Sequence, residues 1–168
     1  MKKLLVIHNK YQNIGGEDTS VESEISILKN IFNTKIIYFN NQVLNLLKQS
    51  LYFLINRNFE SVSKIKQTLD VFNPDIIYVH NTWFKASPAI FDTLLNFNSN
   101  VFLKLHNFRY DCTRYFLTKN HLKSNSYCSK CGLSKEELGY FNKYFTESYI
   151  KSIFVNIYGK KYFKVLNK

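Results

Sequence analysis

The chain predicts an α/β fold: a Rossmann-like parallel sheet with helices on both faces. Short apolar runs of strand length alternate with segments of helical periodicity, in the order strand, helix, strand, helix, strand, helix, strand. Those runs are nearly continuous in apolar residues, as in strands covered on both faces, rather than alternating as in a half-exposed antiparallel sheet. Three of them end in polar clusters that would share one edge of the sheet. Regular alternation of this kind means βαβ units and right-handed crossovers.

Residues 3–8 form the first apolar run and stop at polar residues. Residues 9–18 read as a loop containing Gly15-Gly16. Thr19 and Glu22 then fit a capping box, each side chain meeting a free N–H at a helix start. Val21, Ile25, Leu28, Ile31 and Phe32 recur at helical spacing, and residues 35–39 are the second strand. In residues 42–55, Val43, Leu47, Leu51 and Leu54 fall on one stripe, and 56–58 break it. Residues 59–72 make another helix, closed by Asn73-Pro74-Asp75, because proline disfavours helix in the residue before it. Residues 76–79 are the third strand, ending at His80-Asn81. A helix over 87–97 tolerates Pro88 in its first turn, and residues 101–105 are the fourth strand, ending at His106-Asn107. After residue 107 the pattern changes. Residues 115–127 predict a hairpin around Lys119-Asn120, and 135–164 are mainly helical, interrupted near Gly139 and ending near Gly159. The expected organisation is one domain over 1–168: a core over 1–110, a hairpin and cysteine insertion over 111–132, and a basic helical tail over 133–168.

Composition bounds the function. A length of 168 residues suits one domain, and 45% apolar residues is too many for a disordered chain. No apolar run approaches the ~20 residues of a membrane-spanning helix. The start Met1-Lys2-Lys3 imitates a signal peptide, but the run over 4–7 breaks at His8-Asn9-Lys10, so a buried strand and a cytoplasmic location are expected. The net charge is +11 and uneven. Residues 1–100 carry 10 basic against 8 acidic side chains, whereas 101–168 carry 13 against 4. A basic, aromatic-rich second half suits an anionic partner such as lipid headgroups or phosphorylated substrates, or it is a solvated lysine surface. Nucleic acid is the weaker candidate, because no finger, RRM or other recognition module is present.

Candidate site residues gather at the strand ends, where open parallel sheets bind ligands. Gly15 and Gly16 would let backbone approach a ligand. The helix start after them, with Glu17 and Asp18, offers free N–H groups suited to a phosphate. The plain alternative is a tight turn with a cap. Neither a dinucleotide fingerprint nor a P-loop occurs. His80, Asn81, His106 and Asn107 end the third and fourth strands. His106 is either a satisfied structural histidine or a donor to a sugar hydroxyl, and Arg109 suits a bidentate phosphate contact. Cys112-x15-Cys128-x2-Cys131 resembles part of a zinc site, with His121 or His106 as fourth ligand. Free thiols buried under the hairpin are the alternative. An odd cysteine count argues against a disulfide framework.

Taken in order, Val6-Ile7-His8-Asn9, Gly15-Gly16-Glu17-Asp18, Pro74-Asp75-Ile76-Ile77-Tyr78-Val79-His80-Asn81-Thr82 and Leu105-His106-Asn107-Phe108-Arg109 resemble the N-terminal, acceptor-side domain of family 4 glycosyltransferases, which have the GT-B fold. Cys112 and Cys128-x-x-Cys131 look like a subset of that family. The resemblance covers roughly residues 3–135. It implies retaining transfer of a hexosyl group from a nucleotide-sugar to a glycan or lipid-linked acceptor, with no required cofactor. It also implies that Gly15 and Gly16 face the donor phosphates, and that catalytic His106 lies near the transferred sugar. The family's donor-binding domain carries two glutamates eight positions apart, a spacing absent here. The expectation is therefore the acceptor half of a split or truncated enzyme, inactive alone and completed by a donor-binding domain or subunit. A second expectation is a non-catalytic module of this fold docking on an anionic membrane, on the inner face of the membrane.

Overall fold

The structure, a computed structural model, describes residues 1–11, 15–41, 45–106, 109–113, 121–122, 125–132, 134 and 148–167. They fall into two compact units, Met1–His106 and Asn107–Lys168. The first is α/β, as expected. Strands β1 (Lys3–Lys10), β2 (Asn33–Asn40), β3 (Ile76–Asn81) and β4 (Asn100–Leu103) form one parallel sheet in the order β2-β1-β3-β4. The order reverses between β1 and β3, so the crevice of an open α/β sheet lies at their C-terminal ends.

β1 is central, and Leu4 through Asn9 are all buried. Its even residues Leu4 and Val6 pack with Val21 and Ile25 of α1 (Gly16–Ile31), flanked by Ile36, Tyr38, Ile76 and Tyr78. Its odd residues face the other way, as the period of two requires. On that face Ile37, Phe39, Ile77 and Val79 are buried. The ammonium of Lys64, in α3 (Phe59–Phe72), sits 5.2 Å from the Phe39 ring centre. Right-handed crossovers explain the division: the chain moves one way from β1 to β2 and back from β2 to β3, so α1 and α3 cover opposite faces. α3 buries Ile65 and Leu69 and packs against α4 (Ile90–Leu95).

Several boundaries differ from expectation. α1 begins at Gly16, ahead of Thr19, because the carboxylate that reaches back to a free N–H is Asp18, which accepts from Gly15 N at 3.2 Å. Thr19 instead donates its hydroxyl to Gly15 O. β4 stops at Leu103 rather than 105. α4 is shorter than 87–97, and Ser87, with a left-handed φ of 65°, cannot be its first residue. The apolar stripe of α2 (Leu46–Leu54) turns outward within this unit: Leu47, Leu51 and Leu54 are exposed.

In the second unit α5 (Arg109–Thr113) packs against α6 (Tyr149–Leu166). α6 runs seven residues past Gly159, the expected end, because an interior glycine costs only about 1 kcal/mol and this one lies on the buried stripe with Val155, Tyr158 and Tyr162. The expected hairpin and the segment around Gly139 fall mainly outside the described residues. Among those described, Tyr127 and Ser134 form one antiparallel bridge. No described helix is long and apolar enough to cross a membrane.

Candidate functional sites

The polar ends of β1 and β3 build two layers at the sheet edge. The first braces a loop. Asn9 Oδ1 accepts from the N–H groups of Lys85 (3.1 Å) and Ala86 (2.9 Å), and its Nδ2 donates to Asn41 Oδ1 at 2.8 Å. Asn41 Oδ1 also accepts from Lys85 N at 3.2 Å. Asn81 donates to Asn9 O at 3.2 Å and accepts from Trp83 N at 2.8 Å. Its carboxamide therefore holds the loop after β3, whose Trp83–Phe84 peptide is cis.

The second layer is histidine-rich and lies on the α1 face. His8, fully buried, meets Asp18 with 2.8 Å between Nε2 and Oδ1. An ionised carboxylate only accepts, so Nε2 carries the proton and Nδ1 is left as a bare lone pair with no partner among the described residues. Burial pushes the His8 imidazole below its ordinary value despite the opposing pull of Asp18. His80 stands edge-to-face with His8 at 6.0 Å between centroids. Its Nδ1 lies 3.1 Å from Nε2 of His106, while its buried Nε2 has no partner among the described residues. Burial lowers the His80 pKa to about 4, and burial lowers that of His106 as well, helped by Lys104. All three imidazoles are neutral near pH 7, suited to exchanging hydrogen bonds with hydroxyls rather than to holding an anion by charge.

Charge is supplied beside them. Lys104 pairs with Glu24, which also accepts from Tyr78 Oη at 3.0 Å. Burial opposes the charge on Glu24, yet the bonds from Lys104 and Tyr78 hold its carboxyl below the usual carboxylate range. Burial and the same carboxylate push Tyr78 up to about 12.

At the head of α1, Gly15 has φ −119°, which any residue adopts, and a Cβ built on Gly15 or Gly16 meets nothing within 4 Å. Among the described residues neither backbone strain nor packing demands glycine there. One N–H, that of Gly15, is already taken by Asp18. Glu17 accepts from the Tyr11 hydroxyl at 3.2 Å.

The structure therefore brings His80 and His106 into contact and sets Gly15, Gly16, Glu17 and Asp18 at the start of α1. Asn107 lies outside the described residues, and for Arg109 only the backbone position, at the start of α5, is described. Sequence reasoning missed the His8–Asp18 pair and the Asn9–Asn41 brace. Polar residues at the ends of two adjacent strands, His8-Asn9 and His80-Asn81, were the available signal.

The second unit holds a separate cluster. One ligand atom from each of Cys112, His121, Cys128 and Cys131 lies within 4.8 Å of the others, and all but Cys131 are buried. The fourth member is His121, with Nε2 3.1 Å from Cys131 Sγ; His106, the other candidate, is bonded to His80 in the first unit. Burial and the neighbouring thiols raise the Cys112 thiol well above its ordinary value. For Cys128 burial acts in the same direction, but the N–H groups of Cys131 and Lys130 outweigh it and lower the thiol. This is a candidate Cys/His metal site.

No family model, no curated protein and no solved structure matches this chain.

Proposed function

We propose that the chain is the acceptor-side domain of a family 4 type glycosyltransferase, binding a glycan or lipid-linked acceptor at the C-terminal edge of its sheet. The observation that carries this reading is the pairing of Gly15 and Gly16 at the head of α1, where an added Cβ meets nothing within 4 Å among the described residues, with neutral His80 and His106 at the same sheet edge. Open glycine backbone suits a phosphate or sugar that approaches closely. Neutral imidazoles suit hydroxyl recognition. His106, half-buried and placed outside the fully buried His8, is the group that would stand by the transferred sugar. The donor nucleotide-sugar would be gripped by a further domain bearing the paired glutamates, acting with this one at the cytoplasmic face of a membrane. Catalysis would then rest on electrostatic placement of phosphate and of the developing oxocarbenium across the cleft.

Saturation-transfer NMR on the purified chain tests this. The probes are short oligosaccharides, a polyprenyl-pyrophosphate sugar and UDP or GDP. Saccharide or pyrophosphate-sugar binding is expected, weakened about tenfold by His106→Ala, the order of one lost hydrogen bond to the ligand. The chain alone should transfer no sugar from a nucleotide-sugar. Turnover by 1–168 alone, or saccharide binding indifferent to both His106→Ala and Gly16→Val, contradicts the proposal.

A further inference from the structure

Among the described residues of the second unit, α6 buries Val155, Tyr158 and Tyr162, and a separate, small cluster surrounds the thiols. Around the thiols, the buried cluster consists of Cys112, Leu122 and Cys128, with Cys131 packed against it. Three of its four members are sulfurs. Small units that lack a sufficient core are held by disulfides or metals.

The distances decide between those two. Cys112 Sγ and Cys128 Sγ are 3.8 Å apart and all three cysteines are free thiols. A disulfide requires about 2.05 Å. Two thiolates each about 2.3 Å from a tetrahedral zinc stand about 3.8 Å apart. The Nε2–Sγ separation of 3.1 Å at His121 and Cys131 is within about half an ångström of the corresponding tetrahedral edge.

Each ligand is also oriented. His121 Nδ1 lies 3.0 Å from the carbonyl of Cys112, which fixes the proton on Nδ1 and leaves the Nε2 lone pair aimed at the thiols. Metal-bound histidines are held this way by an outer hydrogen bond. Cys128-Ser129-Lys130-Cys131-Gly132 folds as a tight knuckle: Gly132 N donates to Cys128 O at 2.8 Å, with Gly132 at φ +78°, a conformation that favours glycine. The turn brings both sulfurs to one side. Lys130 of the knuckle pairs with Asp111, next to Cys112, which ties the two ligand-bearing segments together.

We propose that Cys112, His121, Cys128 and Cys131 bind one structural Zn2+ that organises the unit Asn107–Lys168. Three thiolates and an imidazole make a soft donor set that selects zinc over magnesium or calcium. Four protein ligands close the tetrahedron and leave no position for substrate, so the role is structural. The metal is coupled to α6, since Thr113, next to Cys112, accepts from Asn156 Nδ2 at 2.7 Å. On binding, each thiol yields its proton to solvent and no redox change occurs. This site stands independently of the glycosyltransferase reading.

The test uses the full chain. Metal analysis of the purified protein should give one zinc per chain. After exchange with Co2+ alone, the spectrum should show thiolate-to-cobalt charge transfer and the intense visible bands of a tetrahedral centre, bleached by added Zn2+. His121→Ala should weaken zinc at least about 100-fold, beyond what loss of an outer-shell partner costs, and His121→Cys should restore tetrahedral binding. A weak octahedral cobalt spectrum, or a native thiol titration finding one free cysteine and a bridged pair, overturns the proposal. The cobalt spectrum of the unaltered chain decides the matter even where a variant fails to fold.

Discussion

The two units reach order by different physics. Met1–His106 buries a continuous apolar sheet: β1 is covered on both faces, and Ile7, Ile65, Ile77, Ile90 and Leu94 are all fully buried. Among the described residues of Asn107–Lys168, one face of α6 is buried, α6 packs against α5, and a small separate cluster gathers three cysteines and Leu122. The first has a core that sets polar strand ends at one sheet edge, with half-buried His106 beside the buried His80. In the second, the side chains of Cys112, His121, Cys128 and Cys131 converge on one point. Polar clustering thus means a candidate ligand site in one unit and a candidate metal staple in the other, and the donor set, imidazoles and carboxamides against thiols, is what tells them apart.

The sharpest way to break that comparison is to remove the proposed zinc. Structural zinc contributes on the order of 10 kcal/mol to small metal-dependent folds. A strong chelator should therefore abolish amide protection across α6 in hydrogen exchange while β1 and β3 keep theirs. Uniform loss in both units would show that they are not stabilised separately. The converse perturbation is Leu69→Ala, which opens a cavity under the sheet. It should cost unit 1 about 3 kcal/mol in denaturant unfolding and leave the cobalt spectrum unchanged.

Acid should act on the first unit through its histidines. His80 has a folded pKa of about 4, against about 6.5 unfolded. The unfolded chain binds the proton more readily, so His80 contributes stability in full above about pH 6.5, and that contribution falls as pH drops towards 4. The loss is at most about 3 kcal/mol. Protection of β3 amides should decline over that window, and His80→Gln should flatten the decline. The smallest effects belong to positions without structural demand. Gly16→Ala should stabilise unit 1 by up to about 1 kcal/mol, while lowering affinity for a saccharide or pyrophosphate ligand. Leu47→Ser, on the exposed stripe of α2, should shift stability by no more than about 0.5 kcal/mol.

The sheet was legible because parallel strands covered on both faces leave a local mark, runs such as Leu4–Ile7 and Ile76–Val79, and because Asn73-Pro74 punctuates so strongly. The α1 start was not, since Thr19-x-x-Glu22 and Gly15-x-x-Asp18 offer overlapping caps and only the backbone path chooses between them. Gly159 misled for a related reason: a glycine's cost is small beside the burial of the stripe it sits on. The histidine layer was half legible. His80 and His106 stand at strand ends in plain view, but His8 gains Asp18, and Asn9 gains Asn41 and Lys85, only when the chain returns from 10, 32 and 76 residues away. The fourth thiol-cluster ligand was undecided for the same reason, as His106 and His121 differ little in spacing and are separated only by the fold.

The proposed ligand site at the sheet edge is tested most directly by recording the ring nitrogens of all four histidines by NMR while titrating the chain with an oligosaccharide or a polyprenyl-pyrophosphate sugar. His121, bound into the thiol cluster, serves as the internal reference. Shifts at His106 and His80 with His121 unmoved are the expected result. Ring signals of His80 and His106 that stay fixed through saturation, or a response confined to His121, would contradict the assignment of the sheet edge as the ligand site.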